Sequence, residues 1–121
     1  MKSYTNIEQS NKLVEILPLE SADMVYCYTK KGDKLVHPIP IYLTSTPTNT
    51  FKYLYCWSLS ALLDILPKQI GRYTKTLYWF DDAWHCEYVD EDSEGKYGVT
   101  ADNPVDACVK MIIKLKENNL L

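Results

Sequence analysis

The stretch Cys56-Trp57-Ser58-Leu59-Ser60-Ala61-Leu62-Leu63-Asp64-Ile65-Leu66-Pro67 constrains this chain more than any other. The Ser58 hydroxyl can accept from the free N–H groups of a first helical turn. Pro67 has neither the donor nor the space to continue a helix. A short helix over 59–66 follows. Leu59, Leu62, Leu63 and Leu66 fall at offsets that put all four on one stripe, and that stripe has to be buried. A helix this short does not hold in water by itself, so partner layers are implied. The stretch specifies a core and not a chemistry.

The remaining elements are read around it. Thr5-Asn6-Ile7-Glu8 has the form of a capping box, predicting a helix over 6–17 that Pro18 ends. Met24–Thr29 is rich in strand formers, and Lys30-Lys31-Gly32-Asp33 is a reversal that returns through Lys34–His37 as a hairpin. Pro38 and Pro40 remove ladder donors and put that return at an edge. Thr44–Thr50 reads as a loop, and Phe51–Tyr55 as an extended entry to the central helix. Arg72–Phe80 and Ala83–Val89 form the clearest hairpin, with Asp81-Asp82 as its turn and Trp84, Cys86 and Tyr88 on one face. Asp90–Gly95 is an acidic turn, and Lys96–Thr100 adds a short strand. Asn103 as cap and Pro104 at the first position start a last helix over 104–117. The order predicts one α+β domain, with an antiparallel sheet of about four to five strands and the three helices packed on it.

Composition narrows the function classes. A chain of 121 residues with 46% hydrophobic and 24% charged content fits a single globular domain, and no apolar run is long enough to span a bilayer. No apolar segment follows Lys2, so no secretory signal is read at the N-terminus, and a cytoplasmic setting is expected. Cys27, Cys56, Cys86 and Cys108 are widely spaced and lack a C-x-x-C pair, so free thiols are expected. The net charge of -3 disfavours attraction to a nucleic-acid backbone.

Few constellations carry chemistry. His85 and Cys86 are neighbours on a strand and point to opposite faces, so no zinc set is read, and no cofactor is expected. Cys56, just ahead of the central helix, is the one candidate thiol nucleophile, with His85 as its conceivable base. Asp90-Glu91-Asp92-Ser93-Glu94-Gly95 begins like a calcium loop, but Ala101 stands where the closing glutamate belongs. Asp81 and Asp82 read as a wet turn, not an acid–base pair, and no Gly-rich phosphate loop or G-x-S-x-G elbow is present.

Tyrosine is the unusual term, with ten in the chain. Tyr73, Lys75, Tyr78, Trp79, Trp84 and Tyr88 are the candidate binding residues, as rings and a cation on one strand pair. Exposed, such rings anchor a protein partner. With Lys52, Lys68, Arg72 and Lys75 interleaved, they can instead stack on single-stranded nucleic acid. Turned inward, they simply pack beneath helices.

Two segments, Trp57–Pro67 and Asp106–Asn118, resemble a family of small prophage and mobile-element proteins of gut anaerobes, over about a fifth of the chain. That family carries no assigned catalytic residue. The resemblance implies a phage or mobile-element context and a non-enzymatic accessory or protein-interaction role. A single-strand nucleic-acid binder and a small Cys56-dependent enzyme are the alternatives.

Overall fold

A computed structural model describes residues 1–29, 38–41 and 51–121, with Tyr28, Thr29, Phe51 and Lys52 described in backbone only. The expected turn at 30–33, the return strand at 34–37 and the loop at 44–50 lie outside the described residues. The α+β class is observed: three helices, with antiparallel strands shared between two sheets. The chain divides into two compact units, Tyr4–Ala61 and Leu62–Leu121, the latter with Met1–Ser3.

The first unit holds helix α1 (Ile7–Ile16), a 3-10 turn at Leu19–Ser21, and strands β1 (Met24–Thr29), β2 (Ile39–Pro40) and β3 (Phe51–Cys56) in the order β2-β1-β3. β1 and β3 pair from Met24 opposite Cys56 to Thr29 opposite Phe51. The extended entry is therefore a full strand. β2 lies at the edge, where the missing N–H of Pro40 costs least. Leu13, Leu17, Val25, Tyr26, Cys27, Cys56 and Trp57 are buried.

The start of α1 corrects the expected capping box. Asn6, not Thr5, is the cap: its side chain accepts from the Gln9 N–H at 2.8 Å, and the Gln9 side chain accepts from the Asn6 N–H at 3.0 Å. Thr5 is wholly buried and its hydroxyl is already committed, lying 2.8 Å from the Ser10 hydroxyl and accepting from the Trp57 N–H at 3.1 Å. The Thr5 N–H donates to the Trp57 carbonyl at 2.9 Å, and the Thr5 carbonyl accepts from the Tyr26 hydroxyl at 2.8 Å. A residue tying the chain start to Trp57 and Tyr26 in this way cannot also cap, so the box moves one position on.

Helix α2 (Leu59–Ile65) begins as expected, with the Ser58 hydroxyl accepting from the Ala61 N–H at 3.2 Å. Asp23 fixes that cap, accepting from the Ser58 N–H at 2.9 Å and from its hydroxyl. Leu62 and Leu66 are buried, while Leu59 and Leu63 are half-buried.

The second unit is a four-stranded antiparallel meander of β4 (Gln69–Ile70), β5 (Tyr73–Phe80), β6 (Ala83–Val89) and β7 (Gly95–Ala101), followed by α3 (Pro104–Glu117). α3 lies against β6 and β7, and Val105, Cys108, Met111, Ile112 and Leu115 are fully buried. Its start matches the sequence reading, with Asn103 accepting from the Asp106 N–H at 2.9 Å and Pro104 in the first turn. Among the described residues no helix is long and apolar enough to cross a membrane.

Candidate functional site

The register of β5 with β6 sorts the candidate rings by face. Lys75, Leu77 and Trp79 lie opposite Tyr88, Cys86 and Trp84, and cross-strand partners share a face. Cys86, Tyr88 and the apolar side of α3 are buried, so this is the core face. Thr76, Tyr78 and Phe80, opposite Glu87, His85 and Ala83, take the other face.

Two of the six candidates belong to the core. Tyr88 is fully buried, and its hydroxyl donates to the Pro67 carbonyl at 2.7 Å. Burial first, then the neighbouring thiols Cys86 and Cys108, raises its phenol above the ordinary value. The Lys75 ammonium donates to the Leu63 carbonyl at 2.7 Å and the Leu66 carbonyl at 3.3 Å, capping the end of α2. Neither side chain is presented to a ligand.

Tyr73 stands at the other end of β5 from the turn. Its ring is bracketed by Arg72 at 5.3 Å and Lys96 at 5.7 Å, and its hydroxyl accepts from Arg72 at 3.3 Å. Arg72 also faces Asp90 at 3.8 Å, beside an open polar depression of about 420 Å³ lined by Gln69, Arg72, Asp90, Glu91 and Asp92. The Asp90 carboxylate is engaged by its own turn, accepting from the Asp92 N–H at 3.0 Å and the Glu94 N–H at 2.9 Å.

Tyr78, Trp79 and Trp84 all stand near the hairpin tip, the two tryptophans on one face and Tyr78 on the other, where Phe80, not among the sequence candidates, stands beside it over His85. Tyr78, Trp79 and Phe80 are 38%, 54% and 65% exposed, three consecutive large rings turned to solvent. They are not loose. Trp79 meets Trp84 edge-on at 6.0 Å, and Tyr78 stacks on His85 at 5.0 Å with an interplanar angle of 6°. His85 Nε2 lies 3.0 Å from the Phe80 carbonyl, which only accepts, so this nitrogen carries the proton. His85 Nδ1 lies 3.6 Å from the Glu87 carboxylate. Partial burial, then the hydrogen bond to Glu87 and its charge, raises the Tyr78 phenol above its ordinary value.

The turn that carries these rings is strained. Asp81 and Asp82 have φ of 52° and 58°, the left-handed values a tight two-residue hairpin loop demands and asparagine–glycine pairs meet at less cost. The sequence signal for this tip is the run Tyr78-Trp79-Phe80 ahead of the turn: alternation puts Tyr78 and Phe80 on the face away from Cys86 and Tyr88, and Trp79, although on their face, is exposed as well.

Residues 76–95, the tip and the strand that returns from it, contain no lysine or arginine. Lys68 and Arg72 flank β4 at the far end of β5, roughly 20 Å away at the rise of a strand. The interleaving a nucleic-acid platform needs is therefore missing along β5, where Lys75 is committed to backbone carbonyls.

Cys56 is fully buried, and its thiol is pushed up to about 12 by burial first, then by the charge of Asp23 and by Cys27. That is the reverse of an activated thiol. Cys86 and Cys108 are buried in mutual contact, which together with burial holds the Cys108 proton more tightly. Comparison with protein-family models, curated proteins and solved structures yields no significant match.

Proposed function

We propose that this chain is a non-enzymatic interaction protein that docks on a protein partner through the tip and outer edge of the β5–β6 hairpin. The observation that carries the reading is the run of exposed rings at Tyr78, Trp79 and Phe80, held in fixed orientations by Trp84 and His85. Rings so held lose little freedom on binding, and desolvating them supplies the anchor energy of a protein interface. Asp81 and Asp82 at the same tip repel phosphate and favour a protein surface over a nucleic-acid strand. The setting proposed with it is the one the resemblance implies, an accessory protein of a phage or mobile element acting in the cytoplasm. Four free, buried thiols are in keeping with a reducing compartment.

The test is a photo-crosslinking amino acid at position 80 in cells making the full chain, with one at the exposed position 116 as control. The reading predicts a protease-sensitive, nuclease-resistant adduct from position 80 alone, lost on Trp79→Ala. No adduct, or a nuclease-sensitive one, overturns it.

A further inference from the structure

Strand β7 closes its side of the second sheet, and β5 leaves part of its own side open. On β7 the outward carbonyls of Gly98 and Thr100 accept from the Lys114 and Lys110 ammonium groups of α3 at 3.2 and 2.8 Å, and lysines over an edge guard against strand addition. On β5 the cover is β4, which pairs only with Tyr73 and Thr74 and adds one bond from the Lys75 N–H to the Lys68 carbonyl at 3.0 Å. Among the described residues no strand lies outside Thr76–Phe80. Backbone groups alternate along an antiparallel strand. With the Lys75 N–H turned outward, the N–H and C=O of Leu77 and Trp79 are turned outward too, while Thr76, Tyr78 and Phe80 bond to β6.

The ends of this edge limit how those backbone groups can be met. A parallel strand would reach Leu77 and Trp79 through residues opposite Thr76, Tyr78 and Phe80. The place opposite Thr76 is taken, because Lys68 lies opposite Lys75 and the chain comes in through Pro67 beside it. An antiparallel strand needs only the residues opposite Leu77 and Trp79, each exchanging both bonds with its partner, and so fits between Pro67 and the turn.

The same ends differ in charge. Asp81 and Asp82 are exposed at the turn, Glu87 stands half-buried on β6 near Tyr78 and His85, and residues 76–95 contain no lysine or arginine. Lys68 is exposed at the other end. A strand antiparallel to β5 runs from the turn toward Lys68, so its N-terminal end meets carboxylates and its C-terminal end an ammonium group. Between them its side chains fall beside Trp79 on one face and beside Tyr78 and Phe80 on the other, where apolar residues cover the exposed rings.

We infer that the partner contributes an extended segment that adds to the second sheet as a strand antiparallel to β5. It carries lysine or arginine at its N-terminal end against Asp81 and Asp82, apolar side chains over the rings, and an acidic residue at its C-terminal end against Lys68. The inference deepens the docking role proposed above and rests on it. Main-chain bonds supply the affinity of such a contact, and side chains and charge set its direction. The contact is small, and a dissociation constant of roughly 10–100 µM is expected.

A library of randomised nine-residue peptides, displayed and selected against the immobilised full chain, tests it. The enriched peptides should share lysine or arginine on the N-terminal side of a run of β-branched or aromatic residues. When an enriched peptide is made with one backbone N-methyl group at a time, affinity should fall about tenfold at two positions two residues apart and hold at the position between, since only alternate N–H groups face β5. Asp81→Asn with Asp82→Asn keeps residues that tolerate a left-handed turn and should weaken the same peptide by about three- to tenfold at low salt, with circular dichroism confirming the fold. No enrichment, the basic residue at the C-terminal end, an even response to N-methylation, or unchanged affinity for the asparagine variant overturns the inference. So does a second copy on this edge, read as a sedimentation mass near twice 14.0 kDa that Trp79→Lys returns to the lower value. If one of these results is found while position 80 still crosslinks to a different protein in cells, the docking role stands and the rings meet a folded surface instead of an added strand. If position 80 crosslinks to nothing, both fall.

Discussion

Replacing Thr5 by valine tests the polar knot that holds the chain start in the first unit. Valine matches threonine in shape, so the substitution opens no cavity and isolates the hydroxyl. The hydroxyl accepts from the Trp57 N–H at 3.1 Å and lies 2.8 Å from the Ser10 hydroxyl, and all three residues are fully buried. Removing it leaves the Trp57 N–H with no acceptor, at a cost of about 1–3 kcal/mol for a buried unsatisfied donor. Ser10 can turn to a carbonyl of its own helix, so its loss adds about 1 kcal/mol. The sum, about 2–4 kcal/mol, is a large fraction of the stability of a small domain and corresponds to a fall in melting temperature of roughly 8–20 °C. Urea and thermal unfolding followed by circular dichroism measure it. Thr5→Ser keeps the hydroxyl and gives up only a methyl, so it is expected to lose about 1 kcal/mol. A valine variant as stable as the parent, or a serine variant as damaged as the valine one, refutes the reasoning.

Relieving the strained turn with Asp81→Asn and Asp82→Gly together is expected to raise stability by about 0.5–2 kcal/mol in thermal unfolding, since both residues sit at positive φ. Stability is also expected to fall in alkali under reducing conditions. The Cys56 thiol holds its proton to about 12 when folded, against an ordinary 9.0, so the unfolded chain releases it first and unfolding gains as pH climbs between these values. Below 9.0 both states are protonated and the effect vanishes. Cys56→Ala flattens this part of the pH–stability curve, and an unchanged slope would assign it elsewhere.

Much of the fold was legible because the signals are local. The start of α3 follows from Asn103 and Pro104, whose chemistry acts within one turn, and Ser58 starts α2 for the same reason. Thr5 misled because its hydroxyl is claimed by Trp57, 52 positions away, and no local pattern carries that information. Phe51–Cys56 looks like a mere entry to a helix until β1 is laid along all six residues. At the site, alternation identified the strand pair but not its open face. Tyr88 and Trp84 share a side, and only the placement of Pro67 and α3 decides that Tyr88 is sealed in while Trp84 meets an exposed ring at the tip. Lys75 looked like a cation for a ligand because α2, whose last carbonyls it caps, is remote until the chain folds back.

Residue-resolved amide exchange along β5 of the full chain, alone and with a protein that crosslinks at position 80, is the most direct measurement of the central claim. In dilute solution the Leu77 and Trp79 amides should exchange fast while those of Tyr78 and Phe80, bonded to β6, are protected. A protein partner docked on this edge should then protect Leu77 and Trp79 alone among the β5 amides. Protection of those two in the chain alone, or fast exchange in the presence of a protein that crosslinks at position 80, would contradict an open edge that serves as a docking surface.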